Sequence, residues 1–595
     1  MRHSGWYVWL LAALLAVGHT SGSVTGHQDS TTGAGTLSQG DLADTLFVDA
    51  TESSGLDFSH FNGSTGELLL PEITGSGGAL LDYDNDGDLD LYIVQGAVLE
   101  DTTSRLASAA AAGTQFHDKL YRNDLEKPGG RVRFQDVTAE SQIVAPGYGM
   151  GVATGDIDND GWVDLYVTNL GPNQLWRNNG DGTFGEIGQL AGVDDDRWSS
   201  SASFLDYDRD GWLDLFVATY VDFAAAPGRE CFSRASARDY CGPDAYAPQP
   251  DRLYRNRGNG TFEDVTTASG IADTFGAALG VVAADFNQDG WVDIFVANDG
   301  DANQLWLNNQ AGGFADEALL TGVAFNHRGQ AEASMGVSAE DYDGDGDEDL
   351  FVSNLEGESN TLYRNLGGGV FEDATIAAGL HGPSLPFTGF GTGFFDYDND
   401  GRLDLVVLNG AVRLLDRQIR EGVAHPLAQP NLLFRQNDSG RFDQLDSPTE
   451  SLIARSEVTR GAAFGDVDND GDVDLVVFNN SGPARVLLNQ VGQQRHWVGI
   501  RAVEHGRDSL QTRIEIVDDS GNSQFRRVHT DGSYCSAGDP RVLIGLAGTG
   551  MGNDEATVQV RVTWPDGATD EFRLETDRYW LVRRGESPQP AETDR

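Results

Sequence analysis

Asp82-Tyr-Asp84-Asn-Asp86-Gly87-Asp88-Leu-Asp90-Leu-Tyr-Ile-Val94 decides how the rest of the chain is read. Carboxylates fall at positions 1, 3, 5 and 9 of a short loop, and Gly87 stands at position 6, where a sharp turn needs a residue free to take positive φ. A run of β-formers follows at once. Alternating carboxylates around a glycine turn converge on one point, and a hard, oxygen-seeking cation neutralises them. Calcium takes 6–8 oxygens from such loops, with position 7 often supplying its backbone carbonyl. One copy alone also admits the blander reading of a solvated acidic turn, but this stretch recurs.

The candidate ligands in the first loop are Asp82, Asp84, Asp86, Asp88 and Asp90. The second loop has Asp156, Asp158, Asp160, Trp162 and Asp164, and the third Asp206, Asp208, Asp210, Trp212 and Asp214. The fourth has Asp285, Asn287, Asp289, Trp291 and Asp293, with Asn287 placing a neutral oxygen where the others have a carboxylate. The fifth, sixth and seventh have Asp341, Asp343, Asp345, Asp347 and Asp349; Asp396, Asp398, Asp400, Arg402 and Asp404; and Asp466, Asp468, Asp470, Asp472 and Asp474. The spacing predicts up to seven structural calcium ions. An EF-hand needs a bidentate Glu at position 12 and flanking helices. Position 12 here is Ile93, Val167, Val217, Val296, Val352, Val407 and Val477, so each loop runs into a buried strand instead. The tryptophans at position 7 are expected to pack between neighbouring units while their carbonyls face the metal.

Two further signatures keep step with the loops. One is Leu120-Tyr-Arg-Asn123, repeated as Leu175-Trp-Arg-Asn178, Leu253-Tyr-Arg-Asn256 and onward to Val486-Leu-Leu-Asn489. The other is led by phenylalanine, as in Phe134-Gln-Asp-Val-Thr138 and Phe262-Glu-Asp-Val-Thr266. A strand ending at each acidic loop, such as Gly149-Met-Gly-Val-Ala-Thr-Gly155, completes four strands per unit, the pattern of a β-propeller. The seventh unit lacks its phenylalanine-led strand, and Phe47-Val-Asp-Ala-Thr51 is an orphan of that kind near the N-terminus. The two ends are expected to share the seventh blade.

Composition agrees. Of 595 residues 75 are glycine, against a usual share of about 7%. Asp and Glu number 93 against 40 Lys and Arg, a formal charge of -53, which disfavours nucleic acid and anionic membranes as partners. Arg2 and His3 precede an apolar run from Trp6 to Val17, which reads as an export signal over residues 1–22 that leaves no integral membrane span once removed. Residues 23–45, rich in Ser, Thr and Gly, read as a flexible linker. An exported chain can oxidise Cys231 and Cys241, closing the polar insertion between them, and leaves Cys535 as a buried or free thiol.

Beyond the seventh unit the chain changes. Residues 494–586 read as a small antiparallel β-sandwich, with alternation in His496-Trp-Val-Gly-Ile-Arg-Ala502 and Thr557-Val-Gln-Val-Arg-Val-Thr-Trp564, and residues 587–595 as a tail. The acidic-loop units resemble FG-GAP/VCBS repeats of integrin-α-type propellers. Gly532-Ser-Tyr-Cys-Ser-Ala-Gly-Asp-Pro-Arg-Val542, Gly545-Leu546 and Val562-Thr-Trp-Pro-Asp-Gly567 resemble the ASPIC/UnbV domain, although Leu510-Gln-Thr-Arg-Ile514 departs from its Gly-Ala-Arg-Val pattern. Propeller plus module is the arrangement of the cartilage acidic protein family, which has many exported bacterial members. The resulting expectation is all-β: a seven-bladed calcium-binding β-propeller over residues 46–493, then the sandwich.

No His-Glu-x-x-His or Gly-x-Ser-x-Gly motif is present, and Gly548-Thr-Gly-Met-Gly552 opens no helix that could cradle a phosphate. The expected role is therefore non-catalytic: a secreted, periplasmic or cell-surface protein that binds an extracellular protein or glycan. The alternative is an enzyme or accessory acting on extracellular polysaccharide, for which Glu100, Asp101, His117 and Asp118 are the available acid–base set. The connections after Val94, Val217 and Val407 are long, and they place the expected ligand face opposite the calcium loops, on blades one, three and six. The sequence leaves the oligomeric state open.

Overall fold

The computed structural model describes residues 46–591 apart from 100–115, 234–235, 415–417, 419–420, 446–452, 454, 518–522 and 547–556. The signal, the linker, the pair Glu100 and Asp101, and the glycine-rich stretch 548–552 lie outside the described residues.

Seven four-stranded antiparallel sheets form the blades of a propeller. The first runs through Gly78–Leu81, Asp90–Ile93, Lys119–Asn123 and Phe134–Asp136, innermost to outermost. The acidic loop joins the first strand to the second. The Leu-Tyr-Arg-Asn signature is the third strand and the phenylalanine-led run the fourth, and each later blade repeats the plan. Second strands are buried along their whole length, as in Asp214–Thr219 and Asp293–Asn298, because both faces pack against neighbouring blades. Blade seven takes its outer strand from the N-terminus: Phe47–Asp49 pairs antiparallel with Arg485–Asn489, Phe47 opposite Asn489. This closes the ring and leaves no free edge on that third strand.

The C-terminal module is two packed sheets. One orders Ser523–Arg527, Arg513–Val517, Thr557–Thr563 and Thr569–Glu575, all antiparallel. The other is built on Trp497–Glu504, which pairs antiparallel with Val542–Gly545 but parallel with Tyr579–Arg583. The parallel pair departs from the purely antiparallel sandwich expected. It arises because Tyr579–Arg583 is reached by a crossover from the other sheet, not by a hairpin. The irregular start at Leu510 is real: Gln511 takes φ 71°, and the strand begins only at Arg513.

The module sits on the acidic-loop face of the ring and sends residues 530–539 into the central channel. There Val337 in blade five donates to the Ser533 carbonyl at 2.8 Å, Val152 in blade two to the Cys535 carbonyl at 3.3 Å, and Leu80 in blade one to the Ala537 carbonyl at 3.1 Å. Asp531 accepts from Ser203 Oγ of blade three at 2.6 Å and from the Ala283 amide of blade four at 2.9 Å. Tyr534 lies edge-on to Phe390 of blade six, and the Asp539 amide reaches the Phe464 carbonyl of blade seven at 2.9 Å. One strap thus touches all seven blades. Several glycines make room for it: a Cβ on Gly77 would stand 1.8 Å from the Cys535 carbonyl oxygen, one on Gly461 2.4 Å from Ser536 Oγ, and one on Gly151 2.8 Å from the Cys535 carbonyl oxygen. Cys535 is buried and unpaired, and burial pushes its thiol up to about 12.

Candidate metal centres

Among the described residues, at least five loops bring three carboxylates together, each offering an oxygen within 4.8 Å of the others: Asp82, Asp84 and Asp86; Asp156, Asp158 and Asp164; Asp206, Asp208 and Asp210; Asp341, Asp343 and Asp349; and Asp396, Asp398 and Asp404. That separation matches oxygens on opposite sides of a cation with bonds of about 2.4 Å. Backbone geometry builds the cluster. The position-1 carboxylate accepts the amides of positions 5 and 6, as Asp156 does from Asp160 at 3.2 Å and Gly161 at 2.8 Å. Position 6 is glycine throughout, with φ between 86° and 97°. The position-9 carboxylate is buried and accepts the position-2 amide, as Asp214 does from Tyr207 at 3.1 Å.

The donor set fits a calcium ion, and the clearest sign is at position 3. One oxygen of Asp84, of Asp158, of Asp398 and of Asp468 is buried without a hydrogen-bond partner, a costly state for a carboxylate unless a cation fills the gap. Burial, and after it the neighbouring carboxylates, raises these groups: Asp156 to about 6, Asp293 to about 8, Asp466 to about 8, and Asp90 and Asp164 well above the ordinary range. A calcium held by positions 1, 3, 5 and 9 and the position-7 carbonyl would supply the missing charge and draw the loop into one turn.

The position-7 side chains differ from loop to loop: Arg402 pairs with Asp400 of its own loop, and Asp472 is fully buried. Asp88 accepts the Leu125 amide at 3.0 Å. Trp162 and Trp212 do not wedge between blades as expected. They lie on the glycine turns of their own blades, where a Cβ on Gly180 or Gly258 would come within 2.8 Å and 2.6 Å of the indole. Only Trp291 meets a neighbouring blade, under the guanidinium of Arg209 at 4.4 Å.

A closed ring of hydrogen bonds and a second, partial set join the loops, and sequence reading missed both. The Asn or Gln ending each third strand binds its own loop through its amide and the preceding blade through its side chain. The Asn178 amide donates to Asp164 at 2.7 Å and its Nδ2 to the Tyr83 carbonyl at 2.8 Å. Asn256, Asn308, Asn365, Gln436, Asn489 and Asn123 repeat the contact around the ring, reaching Ile157, Tyr207, Phe286, Tyr342, Tyr397 and Val467. The recurrence of Asn was the visible signal; its partner, one repeat away, was not. The second set uses position 4, in positive φ, whose side chain in five loops donates to the position-6 carbonyl of the next: Asn85 to Gly161 at 2.9 Å, Asn159 to Gly211 at 3.1 Å, Gln288 to Gly346 at 2.8 Å, Asn399 to Gly471 at 2.8 Å and Asn469 to Gly87 at 3.2 Å.

Arginines of the C-terminal module rest on this face. Arg501 pairs with Asp508 at 2.7 Å and reaches Asp82 at 3.5 Å, while Arg507 donates to Asn159 Oδ1 at 2.9 Å. Between them and the loops of blades one and two lies a cavity of about 800 Å³. On the opposite face the insertions of blades three and six meet, the Leu414 amide donating to Asp239 at 3.2 Å. Cys231 and Cys241 are disulfide-bonded there. Arg460, fully buried, ties that mouth together by donating to the carbonyls of Ile73 at 2.7 Å, Gly410 at 3.0 Å and Ala411 at 3.3 Å while lying over Phe390. With no carboxylate beside it, burial lowers Arg460 to about 9. Asp118 is committed to structure, accepting from Tyr92 Oη and the Gln95 amide, each at 2.7 Å. Among the described residues no helix is long and apolar enough to cross a membrane.

Comparison with known proteins agrees with this architecture. A family model described as an FG-GAP-like repeat matches residues 156–217, 240–296, 285–352 and 341–407, and the ASPIC and UnbV model matches residues 502–589. Together these spans take in more than half of the chain. Human cartilage acidic protein 1 is 24% identical over 501 residues, covering 82% of this chain and 59% of that protein. The mouse protein of the same name is 26% identical over 369 residues, 60% of this chain and 49% of that protein. The chain thus spans about half the length of these relatives. A lectin of known structure from Burkholderia pseudomallei overlaps 71% of this chain and 97% of its own at 9% identity and a TM-score of 0.39, too low to bear on function. The chain is an FG-GAP-repeat propeller protein with a C-terminal ASPIC and UnbV domain, related to the cartilage acidic proteins.

Proposed function

We propose that this is an exported, calcium-stabilised binding protein that captures an extracellular protein or glycan on the propeller face opposite its calcium loops. One observation carries the reading. The C-terminal module covers the loop face, whereas on the other face the insertions of blades three and six meet and present Phe232, 60% exposed, on the hairpin closed by Cys231 and Cys241. An exposed aromatic on a covalently closed loop over a rigid scaffold is a low-entropy contact. The disulfide and the calcium loops both suit an oxidising, calcium-rich compartment.

The test is capture from a glycan array and from an extracellular protein pool, comparing the full chain with a variant whose 231–241 insertion is cut to a tight turn. The reading expects capture to be lost while calcium-dependent melting is kept. Capture that survives this and equivalent shortening in blades one and six would contradict it. Capture lost instead on Arg507→Ala, which lines the cavity beside the loops of blades one and two, would move the binding face to the module side.

A further inference from the structure

The loops of blades six and seven have nearly the same sequence, Asp396-Tyr-Asp-Asn-Asp-Gly-Arg-Leu-Asp404 and Asp466-Val-Asp-Asn-Asp-Gly-Asp-Val-Asp474, but their surroundings are opposite. In loop six arginines take up the carboxylates at positions 3 and 5. Arg435 Nη2 lies 2.6 Å from Asp398 Oδ2 and 3.2 Å from Asp400 Oδ2, and Arg495 Nη1 lies 2.9 Å from Asp398 Oδ1. Arg402, at position 7 of the same loop, also pairs with Asp400. Asp398 thus lies between two guanidinium groups, although one oxygen each of Asp398 and Asp404 still lacks a hydrogen-bond partner and Asp396, Asp398 and Asp404 converge as in the other loops.

Loop seven has none of this compensation. The third-strand position that holds Arg435 in blade six holds Leu488 in blade seven. Asp468 is 7% exposed and Asp472 fully buried, and one oxygen of each, as of Asp470, has no partner. Neighbouring carboxylates held out of water, each with an unclaimed oxygen, need a cation beside them. The C-terminal module forms the lid over this loop. Trp497 lies so close that a Cβ on Gly471 would stand 1.9 Å from its ring, the Gln493 amide donates to Asp472 at 3.1 Å, and Tyr579 Oη donates to Asp466 at 2.8 Å. Arg541 reaches the Asp466 carbonyl at 3.0 Å and Asn469 at 2.7 Å, and it directly follows the strap that fills the channel.

We propose that the seven loops are not equivalent: loop seven is an interface metal site whose divalent cation clamps the C-terminal module to the ring, and in loop six arginine stands in for the metal. The proposal rests on the calcium reading above and assigns it a regulatory site, because the cation in loop seven controls whether the strap stays seated.

The experiment counts calcium bound per full-length chain after equilibrium dialysis and follows amide exchange across residues 528–541. Asp468→Asn with Asp470→Asn lowers the count by one ion and speeds exchange across 528–541 about tenfold. Asp398→Asn with Asp400→Asn leaves the count unchanged. A lost ion in the loop-six variant, a retained one in the loop-seven variant, or a lost ion with unchanged exchange overturns the proposal. Should a variant fail to fold, the wild-type chain decides: calcium must slow exchange at 466–474 and 528–541 but not at 396–404, and equal slowing at both loops refutes it. A wild-type chain that binds no calcium at any loop removes the calcium reading itself, whereas calcium binding with all loops alike removes only this inference.

Discussion

Phe47 lies opposite Asn489 in the seventh sheet, the first described strand of the chain paired with the last strand of the repeats. Every blade is therefore held by two neighbours, and the seam of the ring is made of backbone hydrogen bonds like any other blade. Phe47 is 4% exposed and packs toward Phe395, whereas Val48 beside it is 48% exposed. Phe47→Ala is expected to cost about 3–5 kcal/mol, and Val48→Ala under about 0.5 kcal/mol. Denaturant melts of the two variants check this, and equal losses would place the seam elsewhere.

The asparagine staple is a second point of failure. Asn365 Nδ2 donates to the Phe286 carbonyl at 2.9 Å and to the Glu348 carbonyl at 3.1 Å. Asn365→Ala leaves both carbonyls short of a donor, at a cost of about 2–4 kcal/mol. Asn365→Gln should recover part of that, since Gln436 makes the same contact in blade six. The two variants are compared by thermal melting in saturating calcium.

The channel strap gives a third test. Gly77→Ala forces a Cβ against the Cys535 carbonyl, both sides of the clash being backbone. The strap is then expected to leave the channel, with faster amide exchange at 533–538 and a melting temperature lower by several degrees, while calcium is still bound. Unchanged exchange at 533–538 would show that the strap is not held by close fit.

Much of this was legible in one repeat read seven times. The acidic loop, the glycine at position 6 and the β-branched residue at position 12 together define a turn feeding a buried strand, and the orphan at Phe47 announced the closure. What stayed hidden depends on residues from different repeats meeting in space. The strap around Tyr534 touches strands drawn from all seven blades, and glycines such as Gly77, Gly151 and Gly461 are the one trace in the sequence that something approaches those strands. The position-7 tryptophans were misplaced because their own glycine turns, Gly180 and Gly258, are as near as the next blade and offer a flat surface. The parallel pair of Trp497–Glu504 and Tyr579–Arg583 left no mark on either strand's alternation, which is the same for both directions.

The pH dependence without metal follows from the raised carboxylates. Asp82 and Asp156 stand at about 6 and Asp293 and Asp466 at about 8, burial being the first cause in each case. Unfolded, each returns to about 3.9. A carboxyl raised on folding favours the native state below its unfolded value and loses that advantage as pH rises through its folded value. In chelator, the melting temperature should therefore fall between about pH 5 and pH 8, and calcium should flatten the slope. A metal-free melting temperature that climbs over this range contradicts the assignment.

The central claim is that calcium in the acidic loops holds the propeller together, and thermal melting of the full chain in excess chelator against excess calcium tests it most directly. Each site filled at about ten times its dissociation constant adds about 1.4 kcal/mol if only the folded state binds. Several sites together predict a large fall in melting temperature on chelation, reversed by calcium and poorly by magnesium, which demands near-octahedral geometry. A melting curve identical in chelator and in calcium would contradict the account.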